Sequence, residues 1–330
     1  MIVNMISESE YFPKGHGVHT AFINIVDMLR EKGVEVWINS RQKADIIHIH
    51  TIGPYSLYKT FTNNPVVISA HVIPSSFIGS LKGSQYWLPA ASVYLRIFYN
   101  RADLVLAVAP KVKDELIKIG VQRRIGIFPN PINQKIFKED AGLREAGRQK
   151  IGVTKSDFVV LGVGQIQPRK GFDDFWEVAK NLPKIKFVWS GGKPFKQFTA
   201  SSKETKIGKN QPQNLSIAGP FGYENMPSIY NAADVFFLPS YQENAPMAVI
   251  EAGSCGLPLV LRDLTEYKVL YHEGYLAAST NPSFRAAILG LYDDKKLYKQ
   301  VKEEGRNLSI KFSFDMQGDS LIQYYQGLLK

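Results

Sequence analysis

Short apolar runs alternate with longer stretches of helical period along most of the chain. Residues 2–6, 34–38, 46–49, 66–69, 104–108 and 125–128 are mostly apolar at successive positions, which marks strands buried on both faces. Apolar residues recur at helical spacing over 18–31 and 111–119, and Gly120 stops the second pattern. Buried strands interleaved with helices predict a parallel sheet covered on both sides. The alternation breaks at 138–155, a charged stretch with Gly142, Gly147 and Gly152 that reads as a linker plus a short helix. It restarts at 158–163, 186–190, 214–218, 235–238 and 259–261, and residues 282–330 are helical in pattern. No sequence repeat links the halves. The expectation is an α/β chain of two doubly wound, Rossmann-like domains: 1–140, a linker at 141–155, 156–311, and a last helix at 312–330. Ligands of such sheets sit outside the carboxyl ends of the strands, so two domains facing each other would line a central cleft.

Composition narrows the class. A chain of 330 residues exceeds one ordinary core, which agrees with two domains. No apolar run approaches the ~20 residues of a membrane-spanning helix. The first residues lack a basic lead and a small-residue cleavage site, so no signal peptide is expected. The single cysteine, Cys255, excludes an intrachain disulfide and fits a reducing cytoplasm. Its apolar neighbours suit a core residue, not a nucleophile. The formal net charge of +10 favours an anionic partner. Dispersed lysines and the lack of a nucleic-acid motif argue against nucleic acid. Nucleotide phosphates come first and an anionic lipid surface second.

The most informative stretch runs from Tyr241 to Val260. Pro246 suits a first helical position and Gly256 the left-handed residue beyond a helix end. The short helix between them is almost wholly apolar, so Glu251 within it needs hydrogen-bond donors from the protein or from a ligand diol. Glu243 precedes the helix among turn formers. The loop and helix start from Asn244 through Ala245 and Pro246 to Met247 offer N–H groups that could meet a phosphate. A packing salt bridge for Glu251 and a surface charge for Glu243 are the bland alternatives. Earlier, Gly164, Gln165, Arg169, Lys170 and Gly171 occupy a strand-to-helix turn where cations could neutralise a diphosphate. Gly191 and Gly219 each follow a strand and leave room for close backbone approach. Gly15 and Gly17 join the first strand to the first helix and could bring N–H groups to a phosphate, or simply make a tight turn. His48 and His50 share a strand face and His71 ends the next strand. With no third ligand nearby in sequence, core histidines are favoured over a metal site.

Glu243, seven residues, Glu251, then Ala252-Gly253 with Gly256, Pro258 and Val260 resemble the signature of glycosyltransferase family 4. The resemblance covers most of the chain and implies retaining, nucleotide-sugar-dependent enzymes of the GT-B fold, whose last helix crosses back onto the N-terminal domain. It implies that Glu251 binds the donor ribose and that Glu243 lies beside the transferred sugar. It also implies that Lys170 stabilises the leaving diphosphate, Gly17 lies near the phosphates and Gly219 borders the base. His71 matches a histidine that contacts the sugar. Residues 128–133 match an interdomain turn, read as a hinge. Gln165 stands where the family has arginine. Either Arg169 supplies that charge or phosphate stabilisation is weaker; the first is favoured because the leaving group gains charge. No required metal or cofactor is expected, and the donor is UDP-glucose or UDP-galactose.

Residues 46–102 contain no Asp or Glu but many aromatics and Lys59, Lys82, Arg96 and Arg101. Such a surface suits docking on an anionic membrane, although core packing would account for many of the rings. The Gly164-Gln165…Arg169-Lys170-Gly171 variant and Glu243-Asn244-Ala245-Pro246 resemble bacterial enzymes that glycosylate diacylglycerol or monoglycosyl-diacylglycerol. The expected protein is a cytoplasmic, peripheral glycolipid synthase on the inner membrane face. A transferase with a soluble saccharide acceptor, a GT-B sugar-nucleotide epimerase and a non-catalytic nucleotide-sugar sensor are the competing readings.

Overall fold

The computed structural model describes residues 1–11, 17–78, 83–192 and 211–330. One compact unit comprises Met1–Ile78, Gly83–Asn133 and Lys311–Lys330, and the other Gln134–Ile310.

In the first unit the chain runs β1 (Ile2–Ile6), α1 (Gly17–Glu31), β2 (Glu35–Ile38), β3 (Ile46–Ile49), α2 (Pro54–Lys59), β4 (Val66–Ala70), α3 (Ser84–Tyr99), β5 (Leu104–Ala107), α4 (Pro110–Lys118) and β6 (Arg124–Ile127). The strands pair in parallel in the order β2-β1-β3-β4-β5-β6. β3, β4 and β5 are buried at every position, as their unbroken apolar sequences require. Winding steps outward from β1 to β2 and then reverses to β3. That reversal opens a crevice at the carboxyl ends of β1 and β3.

Phe22, Ile25, Met28 and Leu29 of α1 form one core with Val3, Met5, Ile46, Val67 and Leu104. The helix at Phe314–Leu329 contributes Phe314, Leu321 and Tyr325 to it. Each such side chain gains about 1.5–3 kcal/mol on burial, enough to hold a helix that is polar on its other face. Ser313 caps this helix by accepting from the Met316 N–H, and the Ile132 N–H donates to Phe312 O at 2.8 Å.

The second unit holds α5 (Ala141–Ile151), β7 (Val159–Val163), α6 (Phe172–Lys180), β8 (Lys186–Ser190), β9 (Leu215–Gly219), α7 (Met226–Ala232), β10 (Val235–Leu238), α8 (Met247–Ser254), β11 (Leu259–Arg262), α9 (Thr265–Tyr271), β12 (Leu276–Ala278), α10 (Asn281–Asp293) and α11 (Lys295–Ile310); Phe314–Leu329 is α12. Its parallel order is β12-β11-β10-β7-β8-β9, so winding reverses between β7 and β10. β12 was not visible in the sequence pattern. It is a three-residue edge strand with two alanines, buried only at Ala278, too short to show a period.

The stretch read as a linker plus a short helix holds α5, capped by the Asp140 side chain accepting from Leu143 N–H and stopped at Gly152. Arg144 and Arg148 grip Asp234 at 2.6 and 2.9 Å just before β10. A Cβ on Gly147 would lie 1.8 Å from Ser228 O of α7. In a free helix, alanine would be favoured over this glycine by about 1 kcal/mol. Here the clash decides. Gly147→Ala lowers the unfolding free energy by about 2–3 kcal/mol, measurable by chemical denaturation. A neutral or stabilising outcome would show that α5 does not lie against α7.

Candidate active site

The winding reversal between β7 and β10 brings two loops together. After β7, a 3-10 turn at Pro168–Lys170 ends at Gly171, whose φ is +69°. A Cβ there would sit 2.1 Å from Pro239 O, so only glycine allows the β7 and β10 loops to touch. The Tyr241 N–H donates to Arg169 O at 2.7 Å and fixes the register between them.

Within this contact Lys170 Nζ donates to Glu243 Oε1 at 2.5 Å, and Ser240 Oγ donates to the same oxygen at 2.7 Å. Arg169 Nη1 lies 3.7 Å from Glu243 Oε2. Glu243 is only 5% exposed. Burial alone would raise its carboxyl, but Lys170, Arg169 and the donated hydrogen bonds outweigh that and hold it below the usual carboxylate range. Burial also pulls the Lys170 ammonium down, and Glu243 opposes it. The cluster is an ionised, nearly dry pair with a second cation at its edge.

Glu251 is the opposite case. It lies on α8, where burial pushes its carboxyl up to about 7, and the Tyr230 O–H, donating at 2.5 Å, pulls the other way. Two carboxyls eight residues apart therefore differ in charge near neutrality. Pro246 is the cap, with extended ψ of 116°, and the helix begins at Met247, one residue later than the sequence suggested. Asn244 and Ala245 are half-buried in the turn before it. Burial raises the Cys255 thiol well above its ordinary value, which keeps it from acting as a thiolate.

The loops after β7, β8 and β9 lie side by side. Gly164 N–H donates to Ser190 O at 2.9 Å, and Gly191 N–H to Gly219 O at 2.8 Å. A Cβ on Gly191 would be 1.9 Å from Gly164 O. Gln165 is half-buried at the start of the first of these loops. Arg262 holds the neighbouring loops. Its Nε donates to Pro239 O, Nη1 to Ser279 O and Nη2 to Asp174 Oδ2, at 2.9, 2.9 and 2.5 Å, and Tyr241 stacks on it.

In the first unit, Gly17 opens α1 and is exposed, while residues 12–16, including Gly15 and His16, lie outside the described residues. His71 follows β4, and its Nε2 is 3.2 Å from His50 Nδ1. His48 is bonded to Tyr325 Oη at 2.6 Å and Ser69 Oγ at 2.8 Å. His71, read from the sequence at the end of the next strand, is thus brought against His50. Among the described residues, no group of three His, Cys, Asp or Glu side chains could hold a metal. The Tyr230–Glu251 and His50–His71 contacts, Ser240 and Arg262 were absent from the sequence reading. Only Ser240, three residues before Glu243, carried a local signal.

Residues 144–308 match the family model for glycosyl transferases group 1, and residues 36–135 that for glycosyltransferase family 4. The chain is 33% identical to the alpha-galactosylglucosyldiacylglycerol synthase of Streptococcus pneumoniae, over 98% of this chain and 89% of the relative. It is 26% identical to the processive diacylglycerol alpha-glucosyltransferase of Acholeplasma laidlawii, over 100% of this chain and 99% of the relative. Sucrose-phosphate synthase from Thermosynechococcus elongatus shares the fold, with a TM-score of 0.81, 16% identity and 99% of each chain covered. Anabaena Alr3699/HepE, solved with UDP-glucose, gives 0.77 at 16% identity, covering 99% of this chain and 100% of that one. The protein is a glycosyltransferase of the GT-B fold. It belongs to the group 1 glycosyl transferases, with a family 4 segment in its N-terminal part.

The raised pKa of Glu251 has a defined sign. Stability from this group is fully present below its ordinary value of 4.5 and is lost as pH rises through about 7. The predicted loss is about 3 kcal/mol by pH 8, following a shift of roughly two units or more. Glu251→Gln removes this slope, so wild-type and variant denaturation midpoints diverge between pH 5 and 8 in favour of the variant. Parallel curves would mean that Glu251 stays ionised throughout.

Proposed function

We propose that this glycosyltransferase moves a hexose from UDP-glucose or UDP-galactose, with retention, to diacylglycerol or monoglucosyl-diacylglycerol at the cytoplasmic membrane face. The observation that carries the reading is the buried Lys170–Glu243 pair, with Arg169 beside it, at the carboxyl-end crevice between β7 and β10. A diphosphate arriving there meets cations already in place. Lys170 and Arg169 then stabilise charge that grows as the glycosidic bond breaks, without reorganisation. Arg169 takes the part of the arginine absent at Gln165. Glu243 fixes the sugar hydroxyls, Glu251 accepts from the ribose diol, and Asn244, Ala245 and Pro246 lie along the donor. Gly191, Gly219 and, in the first unit, Gly17 allow close backbone approach. His71 contacts the transferred sugar. In the retaining route the leaving phosphate oxygen takes the acceptor hydroxyl proton as the new bond forms on the same face, and the protein supplies placement.

The lipid acceptor is supported by the two relatives named for diacylglycerol-linked activities and by α3. The exposed positions of this helix include Tyr86, Pro89, Ala90, Val93, Arg96 and Ile97. Tyr58 and Phe61 are also exposed, at 68% and 66%, whereas Phe98 and Tyr99 belong to the core. A helix with an apolar outer face and one basic residue lies well at a headgroup boundary. No described helix is long and apolar enough to cross a membrane.

A panel of UDP-sugars against diacylglycerol and monoglucosyl-diacylglycerol, with lipid products weighed by mass spectrometry, tests the reading. Transfer to a soluble saccharide alone would redirect the acceptor assignment, and donor epimerisation without transfer would end it. Lys170→Ala lowers kcat about 100- to 1,000-fold, and Glu251→Ala raises donor KM about 100-fold with a smaller change in kcat. Donor KM in the wild type rises as pH falls below about 7, because the protonated Glu251 loses an acceptor site. Val93→Asp with Ile97→Asp reduces flotation with anionic liposomes. Equal recovery of wild type on neutral vesicles and in high salt would remove the electrostatic part.

A further inference from the structure

His48, His50 and His71 of the first unit form a chain that the proposed chemistry does not use in full. Tyr325 Oη and Ser69 Oγ flank His48 at 2.6 and 2.8 Å. The His48 ring lies 4.3 Å, centroid to centroid, from that of His50, and Phe22 presents a T-shaped contact to His50 at 5.5 Å. His50 Nδ1 then meets His71 Nε2 at 3.2 Å, with the rings stacked at 5.4 Å. His50 is 2% exposed, and its Nε2 is buried without a hydrogen-bond partner.

These contacts restrict where the protons sit. Burial pulls all three imidazoles down, His48 to about 3 and His71 to about 4, so at neutral pH each ring carries one proton. A hydrogen bond between two neutral imidazoles needs one donor and one acceptor. If His71 Nε2 donated, His50 would have to carry its own proton on Nε2, as a buried N–H with nothing to receive it. Orphaned buried N–H groups are rarer and costlier than bare acceptors. The other arrangement leaves His50 Nε2 unprotonated, a bare acceptor. His48 places no opposing constraint, since both of its hydroxyl neighbours can donate or accept.

We infer that His50 is a positioning residue: its Nδ1–H donates to His71 Nε2 and thereby holds His71 as the Nδ1–H tautomer, with the ring orientation fixed. His71 then carries its proton on Nδ1, the form suited to donating to a sugar hydroxyl oxygen, and its Nε2 is committed to the protein. This inference rests on the reading of His71 as the sugar contact. The crevice between β1 and β3 gives it a structural logic, because His50 stands directly after β3 at the winding reversal and His71 directly after the adjacent β4.

The chain has six histidines, few enough for tautomers to be assigned by long-range nitrogen-15 NMR of histidine-labelled protein. The expected wild-type result is Nδ1–H at both His50 and His71. His50→Leu, which keeps bulk and removes the donor, shifts His71 toward the Nε2–H form and lowers kcat about 10- to 100-fold with a smaller change in donor KM. His50→Asn, whose amide N–H falls near the place of Nδ1–H, restores most of the loss. A His71 found as Nε2–H in the wild type, or unchanged in tautomer in His50→Leu, overturns the inference even if activity falls. Activity loss in His71→Gln with none in His50→Leu overturns the positioning role alone. No loss in either variant overturns the reading of His71 itself.

Discussion

Everything at the candidate donor site depends on one buried ion pair, Lys170 with Glu243, clamped where the second sheet reverses its winding. Taking both charges out of water costs several kcal/mol per ion before their attraction offsets it, so such a pair is weak support for stability alone. Its place is set by topology. β7 and β10 are neighbours in space but distant in sequence, and their loops can touch only because Gly171 has no side chain to meet Pro239 O. Ser240 completes the shell of Glu243, and Arg262 ties Pro239, Asp174 and Ser279 into one frame. A cation kept ready in a dry site is what a departing diphosphate requires.

The two carboxyls of the same loop and helix show how one short stretch produces two chemistries. Glu243 meets two cations and a hydroxyl, and stays ionised. Glu251, among the described residues, accepts from the Tyr230 hydroxyl in a largely buried setting, and titrates near neutrality. The imidazole pair in the first unit follows a related logic, with burial suppressing charge and leaving tautomer choice to decide what the site can donate.

Much of the architecture could be read from the chain because buried parallel strands leave unbroken Val, Ile and Leu runs. Residues 46–49, 186–190 and 235–238 were delimited to the residue. The edge strand β12 was missed because three residues with two alanines carry no period. The short helix expected within the charged stretch is α5, but its charge hid which face Arg148 and Asp234 would hold. At the site, Glu243, Glu251 and Lys170 announced themselves by unusual residues in punctuated loops. Tyr230 and His50 did not. Their importance comes from a partner 21 residues away in each case, a distance that pattern reading cannot bridge. The aromatic stretch was partly misleading for the same reason. Phe98 and Tyr99 are core, while Tyr58, Phe61 and Tyr86 face outward.

The most direct test of this account is a crystal structure with UDP-glucose or UDP bound. The account predicts diphosphate oxygens within about 3 Å of Lys170 Nζ and the Arg169 guanidinium, with the ribose hydroxyls on Glu251. A nucleotide seated elsewhere, leaving the Lys170–Glu243 pair and the Tyr230–Glu251 hydrogen bond untouched, would contradict it.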